Sequence, residues 1–274
     1  MLAGCPSRTA LGAAFHRAAH QVLERGAVFT DPLALRILGV DAAGAVRPGA
    51  EEPAARRLRL FIAVRARFAE DALAAAAARG VTQLVLLGAG LDTFAYRSGL
   101  GGSLRIFEVD HPDTQAWKRR LLLDAGIPEP PGLAFVPVDF ERETLGEALG
   151  AAGFDPLRQA FFTWLGVVPY LSEPAVFATL GFVAGLPGGA QVVFDYANPG
   201  PGTTGLSDRV AAAGEAFRSR FDTEDLHARL AALGFGEIED LGPAGIRERF
   251  FPGYTGPAPE TGGHVLRARS LTTH

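Results

Sequence analysis

An apolar run that ends in a Gly-x-Gly turn constrains this chain more than any other feature. The apolar residues 84–87 lead directly into Gly88 and Gly90, and Asp92 follows two places later. A continuous apolar run is typical of a strand buried on both faces of a parallel sheet. Glycines after such a strand let the backbone turn sharply and let a ligand lie close against it. The run predicts a nucleotide-type site at this turn, or a bare turn if the glycines serve the backbone alone.

A second strand-like run, 104–107, leads into the acidic residues Glu108 and Asp110. Asp110 lies 22 residues after Gly88, close to the roughly 20-residue spacing at which a carboxylate on the second strand meets a ribose. Either Glu108 or Asp110 satisfies this geometry, because alternation puts both on the same side of the strand. Asp110 has a second interpretation as the cap of the next helix.

The chain after residue 80 alternates strands, turns and helices. This pattern predicts an α/β fold with a doubly wound, mostly parallel, Rossmann-like sheet. Helix starts are predicted at His111 with Asp110 as cap, at Ser172, and at Asp222 or Thr223. Seven strands are predicted, over 82–88, 103–109, 132–138, 159–165, 190–196, 236–241 and 263–270.

The first 80 residues are predicted to be helical, and no strand is expected before Val81. Helices are predicted from Thr9 to Arg25, from Asp31 to Gly39 with Asp31 as N-cap, and, as one or two helices, over 54–79. Residues 41–53 are expected to form a loop. We expect residues 1–80 to form a helical cap over a core of residues 81–274, within one folded unit.

Composition limits the partners that this chain is expected to have. The net charge of −4 argues against nucleic acid or an anionic membrane as partner. Cys5 is the single cysteine, which excludes an internal disulfide and suits a reducing cytoplasm. No apolar run approaches the roughly 20 residues of a membrane span, and no histidine spacing indicates a metal site. We predict a cytoplasmic protein and leave its oligomeric state open between monomer and homodimer.

Several segments together carry a resemblance to a known family. They are Leu-Gly-Ala-Gly-Leu-Asp-Thr at 87–93, Phe-Glu-Val-Asp-His-Pro at 107–112, Gln-Ala-Trp-Lys at 115–118, and segments 31–34, 164–171 and 221–235. In these motifs, and in their order, the chain resembles the leucine carboxyl methyltransferase family, whose members have the class I methyltransferase fold. The resemblance implies S-adenosyl-L-methionine (SAM) as cofactor and a helical lid over it. It further implies O-methylation of a carboxylate or hydroxyl on a small molecule, in natural-product biosynthesis.

The resemblance also assigns residues to the cofactor. Gly88 and Gly90 are expected against its methionine part, and Asp110, with Glu108 as the alternative, on its ribose. Arg65 is expected on its carboxylate, with Arg67 as competitor. The remaining cofactor-binding residues are Asp92, which orders the loop or meets the amino group, and Asp139 and Phe140 beside adenine.

One position departs from the family pattern. Leu165 stands where many members carry a glutamate that contributes to the SAM pocket. Tyr170 then becomes the polar candidate that faces the acceptor, although packing between a strand and a helix is the preferred interpretation. His111 is the candidate base, since it alone of the six histidines follows a predicted strand near the cofactor.

Two other functions stay open from the sequence. A nicotinamide-dependent oxidoreductase shares the doubly wound fold, but Thr93 occupies the place of the third fingerprint glycine. A SAM-binding protein without catalysis is kept open by Leu165. The loops 41–53, 198–205 and 252–263 are expected to border the acceptor pocket.

Overall fold

A seven-stranded sheet forms the centre of the molecule. The computed structural model describes residues 7–99, 104–139, 143–199, 217–253, 255 and 262–270. The strands are β1 Gln83–Leu87, β2 Arg105–Asp110, β3 Leu133–Pro137, β4 Ala160–Trp164, β5 Ala190–Ala197, β6 Phe235–Leu241 and β7 Gly263–Ser270. Each predicted strand is present within two residues of its predicted bounds.

The strand order is β3-β2-β1-β4-β5-β7-β6. Strands β1 to β5 pair in parallel, whereas β7 runs antiparallel to both β5 and β6. The direction of the strand order reverses between β1 and β4, so the segments that follow these two strands diverge at the carboxyl edge of the sheet. In doubly wound sheets such a switch point is where a ligand binds.

Helices surround this sheet in the described part of the chain. They are α1 Arg8–Leu23, α2 Ala42–Ala45, α3 Pro53–Ala78, α4 Phe94–Arg97, α5 Pro112–Asp124, α6 Leu145–Ala151, α7 Glu173–Ala184, α8 Thr223–Ala232 and α9 Pro243–Phe250. A single 3₁₀ turn, Val168–Tyr170, follows β4. The stretch predicted as one or two helices is the single helix α3. None of the described helices combines the length and apolar character needed to cross a bilayer.

The alternation of β1 explains the two layers around the sheet. All five β1 residues are buried. Leu84 and Leu86 pack in one apolar cluster with Phe68 of α3. Val85 and Leu87 pack on the opposite face, in the cluster that contains the buried apolar residues of α6, α7 and α8. Successive side chains of a strand point to opposite faces, so a strand covered on both sides must be apolar throughout.

The predicted helix from Asp31 to Gly39 is wrong, because residues 32–39 form consecutive turns. Asp31 does cap locally, since its Oδ1 accepts a hydrogen bond from the Leu33 N–H at 3.0 Å. Its Oδ2, however, accepts from the Thr93 hydroxyl at 2.7 Å. This long-range contact ties the segment to the loop after β1, and tertiary packing overrides the local helix signal.

Two local predictions near helix ends also change. The predicted loop 41–53 contains the short helix α2, and its last residue, Pro53, begins α3. The N-cap of α5 is His111, not Asp110, since the His111 Nδ1 accepts a hydrogen bond from the Asp113 N–H at 3.2 Å. Asp222 caps α8 as predicted, accepting from two backbone N–H groups of its first turn. Both kinds of cap satisfy N–H groups that the first helical turn leaves without partners.

Candidate functional site

A cavity of about 420 Å³ opens at the carboxyl edge of the sheet. Its volume lies in the range of roughly 300–1,000 Å³ that is typical of small-molecule sites. It is lined by the ends of β1 to β4, by the 3₁₀ turn, and by α1 and α3 from the N-terminal part. Eight of the ten residues predicted for the site line it, namely Arg65, Gly88, Gly90, Asp92, Asp110, His111, Asp139 and Tyr170. Of the other two, Glu108 does not line the cavity and Phe140 lies outside the described residues.

The glycine turn after β1 allows other chain segments to approach it closely. Gly88 has φ +64° and Gly90 has φ +45°, a region that favours glycine. A Cβ added to Gly88 would come 2.3 Å from the Val167 Cγ2, and one added to Gly90 would come 3.1 Å from the Ala10 Cβ. Side chains at these positions would therefore fill the space between the turn, α1 and the segment after β4.

Asp110 closes the other side of this turn. Its Oδ2 accepts a hydrogen bond from the Gly90 N–H at 2.6 Å, and its Oδ1 accepts from the His111 N–H at 2.7 Å. Burial raises the pKa of Asp110, and these two N–H groups oppose that rise. A carboxylate offers about four lone-pair sites, so Asp110 keeps acceptor capacity toward the cavity that it lines.

Glu108, the alternative to Asp110, lies deeper in the fold. Its Oε2 is 2.7 Å from the Lys118 Nζ, and both side chains are 1% exposed. The Tyr96 hydroxyl lies 3.4 Å from the same oxygen. Burial raises the pKa of Glu108 to about 7, although the Lys118 charge acts to lower it. The structure thus brings Asp110 to the cavity and gives Glu108 a buried ion pair.

Asp92 orders the loop that it belongs to. Its Oδ1 accepts a hydrogen bond from the Phe94 N–H at 2.6 Å, at the start of α4. Burial alone would raise the pKa of Asp92, but the charges of Arg17, Arg97 and Lys118 outweigh burial and lower it. Asp92 therefore presents a carboxylate to the cavity over the neutral pH range.

Arg65 and Arg67, the two competing arginines of α3, point in different directions. Arg65 lines the cavity, and its Nη1 lies 2.9 Å from the Asp195 Oδ2. The Arg67 side chain is 51% exposed and pairs with Asp71 one helical turn further on. Only Arg65 is placed to meet a ligand in the cavity.

The part of the cavity beyond β4 is apolar with a basic rim. Leu165 lines it together with Leu171 and Tyr170. The Tyr170 ring packs edge-on against the Phe217 ring, with centroids 5.3 Å apart. Arg218 also lines this part, and its backbone N–H donates to the Pro169 carbonyl oxygen at 2.7 Å.

His111 lies at the cavity edge in the role of a helix cap. Because its Nδ1 accepts the Asp113 N–H, that nitrogen is occupied while the first turn of α5 is intact. Among the described residues, no group of three or more His, Cys, Asp or Glu side chains is placed to hold a metal ion.

Several lining residues were missed by sequence reasoning. They belong to α1, β4 and the segment before α8, far along the chain from the glycine turn. A helix position that faces a cavity has no local signature, since its neighbours in space come from other elements. The missed polar residues that line the cavity are Ser7, Thr9, Arg17, Thr163 and Arg218.

Known proteins resemble this chain in sequence. Residues 10–184 match the model of the family described as leucine carboxyl methyltransferase. YktD of Bacillus subtilis (strain 168), named as a candidate S-adenosyl-L-methionine-dependent methyltransferase, is 38% identical over 197 residues, which cover 68% of this chain and 64% of YktD. FRAAL3718 of Frankia alni, named in the same way, is 36% identical over 184 residues, 65% of this chain and 64% of that protein. The chain therefore aligns with just under two thirds of the length of each.

A solved structure resembles the whole described architecture. It is a candidate methyltransferase from Thermobifida fusca YX, with a TM-score of 0.61 and 16% sequence identity. The match covers 98% of this chain and 96% of that structure. At this identity the likeness concerns the fold.

Proposed function

Because the chain belongs to the leucine carboxyl methyltransferase family, we propose that it is a SAM-dependent O-methyltransferase acting on a small molecule. The family membership confirms the predicted resemblance, and the strand order and the likeness to the solved structure confirm the class I methyltransferase fold. The single observation that carries the proposal is the cavity over the glycine turn, with Asp110 beside it. The names of the relatives support SAM as the cofactor.

The residues at the carboxyl edge fit this cofactor. Gly88 and Gly90 expose backbone on which a thioether chain can lie, and Asp110 offers a carboxylate to the ribose hydroxyls. Asp139 follows β3, next to Asp110, since the Val138 N–H donates to the Asp110 carbonyl oxygen at 2.9 Å. The strand order thus suits an adenosine over β3 and β2 and an amino-acid end over β1 and β4.

Charge is distributed unevenly along the same edge. The acidic residues Asp92, Asp110 and Asp139 line the side formed by β1, β2 and β3. On the opposite side, beyond β4, Arg218 lines the cavity together with apolar side chains such as Leu165, and Arg65 is left to the carboxylate of the cofactor itself. This arrangement favours an acceptor that is negatively charged and carries an apolar body, so we assign a carboxylate as the methyl acceptor.

A carboxylate acceptor sets modest demands on the protein. When bound, SAM supplies an electrophilic methyl group. A carboxylate is ionised at neutral pH and needs no general base. The task of the chain is to hold both reactants in line and to exclude water, and the lining helices α1 and α3 suit that task as a helical cap. The catalytic roles of His111 and Tyr170 stay predictions, and this acceptor chemistry leaves His111 without a proton to remove.

Calorimetric binding tests the cofactor assignment. We expect the protein to bind S-adenosylhomocysteine and not NAD⁺. Asp110→Asn should weaken this binding by about tenfold or more, because hydrogen bonds to a charged group contribute about 1.5–3 kcal/mol. Asp124→Asn, on the exposed end of α5, is the matched control and should bind like the wild type. Binding of NAD⁺ in place of S-adenosylhomocysteine would overturn the proposal.

Product analysis tests the acceptor. The enzyme with labelled SAM is offered apolar carboxylic acids and the primary alcohols with the same carbon skeleton. We expect methyl esters from the acids and no ethers from the alcohols. Methyl transfer to the alcohols alone would refute the carboxylate assignment and leave the methyltransferase assignment intact. Cofactor binding without transfer to any acceptor would instead favour a SAM-binding protein without catalysis.

A further inference from the structure

A buried carboxylate outside the cavity organises one of its walls. Asp195 lies near the carboxyl end of β5, is 3% exposed, and does not line the cavity. Its Oδ2 lies 2.9 Å from the Arg65 Nη1, and its Oδ1 accepts a hydrogen bond from the Gly166 N–H at 2.5 Å. Each carboxylate oxygen therefore has a partner, one from helix α3 and one from the backbone after β4.

Gly166 and Arg65 are fitted closely to each other. Gly166 has φ +74°, and a Cβ added there would come 2.5 Å from the Arg65 Nη2. The guanidinium group thus lies directly against the backbone of Gly166, while Asp195 holds it from the side of β5. One contact from β5 and one from the segment after β4 fix where the planar group sits.

Stability alone does not explain this arrangement. The neighbours of Asp195 along β5, Val193, Phe194 and Tyr196, are buried and mostly apolar. Taking an ion pair out of water costs several kcal/mol per ion, and well-packed apolar residues often replace such pairs without loss. The Asp195 carboxylate is therefore better explained by a role in positioning the Arg65 guanidinium.

The Arg65 guanidinium faces the cavity and has N–H donors beyond the one that contacts Asp195. The Arg65 side chain is 12% exposed and lines the cavity. A guanidinium carries five N–H donors in a fixed fork, so a bond to one Asp195 oxygen leaves others for a ligand. Leu165, directly before Gly166, lines the cavity with an apolar side chain and offers no competing acceptor.

We propose that Asp195 is a positioning residue that orients the Arg65 guanidinium toward the carboxylate of the cofactor's methionine moiety. The proposal deepens the proposed function and rests on it. Asp195 acts through Arg65 and does not itself touch the cofactor. Its removal should therefore affect ligands that carry the amino-acid group and spare ligands that lack it.

Two ligands with the same adenosine and thioether separate these effects. S-adenosylhomocysteine carries the amino-acid group, whereas 5′-methylthioadenosine does not. For Asp195→Asn we expect calorimetry to show about tenfold or greater loss of affinity for S-adenosylhomocysteine. Affinity for 5′-methylthioadenosine should stay within about twofold of the wild type. Arg65→Gln should show the same ligand-selective loss, and the double variant should lose little more, because the two residues act as one unit.

A matched control lies on the same helix. Arg67 pairs with Asp71 at 2.8 Å, in a side-chain pair that is exposed. Asp71→Asn should leave the affinity for both ligands unchanged. If Asp195→Asn does not fold, Asp195→Glu makes the test, because it keeps the charge but displaces the carboxylate by one methylene from its contacts with Arg65 and Gly166; it should show the same selective loss.

Three results would overturn the inference. Unchanged affinity of a folded Asp195→Asn variant for S-adenosylhomocysteine would show that Arg65 needs no positioning. Equal losses for both ligands would show that Asp195 only maintains the fold of the cavity. Failure of the wild type to bind S-adenosylhomocysteine would overturn the proposed function and this inference with it. In the other two results the wild type still binds this ligand, so the proposed function survives them.

Discussion

At the residue scale, Gly88 shows how backbone conformation and local space act separately. Gly88 and Gly39 have the same φ of +64°. A Cβ at Gly88 would meet Val167 at 2.3 Å, whereas a Cβ at Gly39 would meet nothing within 4 Å. The two positions therefore share conformational strain and differ in steric overlap, which makes each the natural control of the other.

We predict that Gly88→Ala destabilises the protein more than Gly39→Ala. Positive φ costs both variants roughly 1–2 kcal/mol. Overlap with Val167 should cost Gly88→Ala about 1–3 kcal/mol more, since Val167 must shift. Urea denaturation of both variants measures the free energy of unfolding. Equal losses would show that the contact with Val167 relaxes at no cost.

Glu108 gives a pH dependence whose sign follows from its burial. Burial raises the pKa of Glu108 to about 7 against the charge of Lys118, whereas a carboxyl in an unfolded chain has a pKa of about 4.3. Between these values the folded protein binds more protons than the unfolded chain. The contribution of Glu108 to the free energy of unfolding therefore decreases as the pH rises through this window.

Glu108→Gln should remove this dependence. The unfolding free energy of the wild type relative to the variant is expected to fall as pH rises from about 5 to about 7, and to level off above. His16 acts in the opposite direction. Burial, followed by the charges of Arg59, Arg65 and Arg47, lowers its pKa to about 4, so its contribution is lost as pH falls from about 6.5. The wild type and Glu108→Gln both contain His16, so its effect cancels in the difference between their unfolding free energies. A difference that does not vary with pH would contradict the prediction.

At the scale of elements, Asp31 joins the N-terminal helices to the glycine turn. Its carboxylate is 1% exposed, lies 3.3 Å from the Arg17 Nε and 3.6 Å from the Arg97 Nε, and accepts from Thr93. Arg17 of α1 also donates to the Leu91 carbonyl oxygen in that loop. One buried side chain thus connects α1, the segment after it and the loop between β1 and α4.

We predict that Asp31→Asn loosens α1 over the cavity. Removing one partner of a buried ion pair costs about 3–5 kcal/mol, because the remaining charges are left uncompensated. Hydrogen exchange should quicken in Arg8–Leu23 more than in Pro112–Asp124 of α5. Asp41→Asn, at the exposed cap of α2, should cost about 1 kcal/mol or less. A uniform increase in exchange over both helices would indicate global destabilisation and not a loosened cap.

At the scale of the whole molecule, the cap and the sheet share buried contacts. Phe61 of α3 packs so closely on β7 that a Cβ at Gly263 would come 2.6 Å from its ring. Helix α3 also shares an apolar cluster with β1, β2 and β5. Such contacts favour cooperative unfolding of residues 7–80 together with the core, as the prediction of one folded unit requires.

We therefore predict a single thermal transition that S-adenosylhomocysteine shifts upward. At about one hundred times the dissociation constant, the ligand should add about 2.7 kcal/mol to the stability. This corresponds to an increase of several degrees in Tm, with no shift on addition of NAD⁺. Calorimetric scans with and without ligand measure it. Two resolved transitions, of which the ligand moves one, would show that the cap and the core unfold separately.

The sequence by itself determined the sheet and predicted where the candidate site lies on it. A strand buried on both faces must be apolar at every position, so residues 84–87 identified β1 without knowledge of its neighbours. The spacing from Gly88 to Asp110 placed a carboxylate beside the turn, because adjacent parallel strands end at the same edge. The family motifs added the cofactor to this geometry.

Only the tertiary structure decided among residues that the pattern treats alike. Alternation places Glu108 and Asp110 on one side of β2, but their environments depend on α5. Lys118 of α5 forms a buried ion pair with Glu108. Arg65 meets Asp195, a residue 130 positions away in the chain, and no local pattern connects the two. Spacing and periodicity describe a residue's own element, whereas the walls of this cavity are made where elements from distant parts of the chain meet.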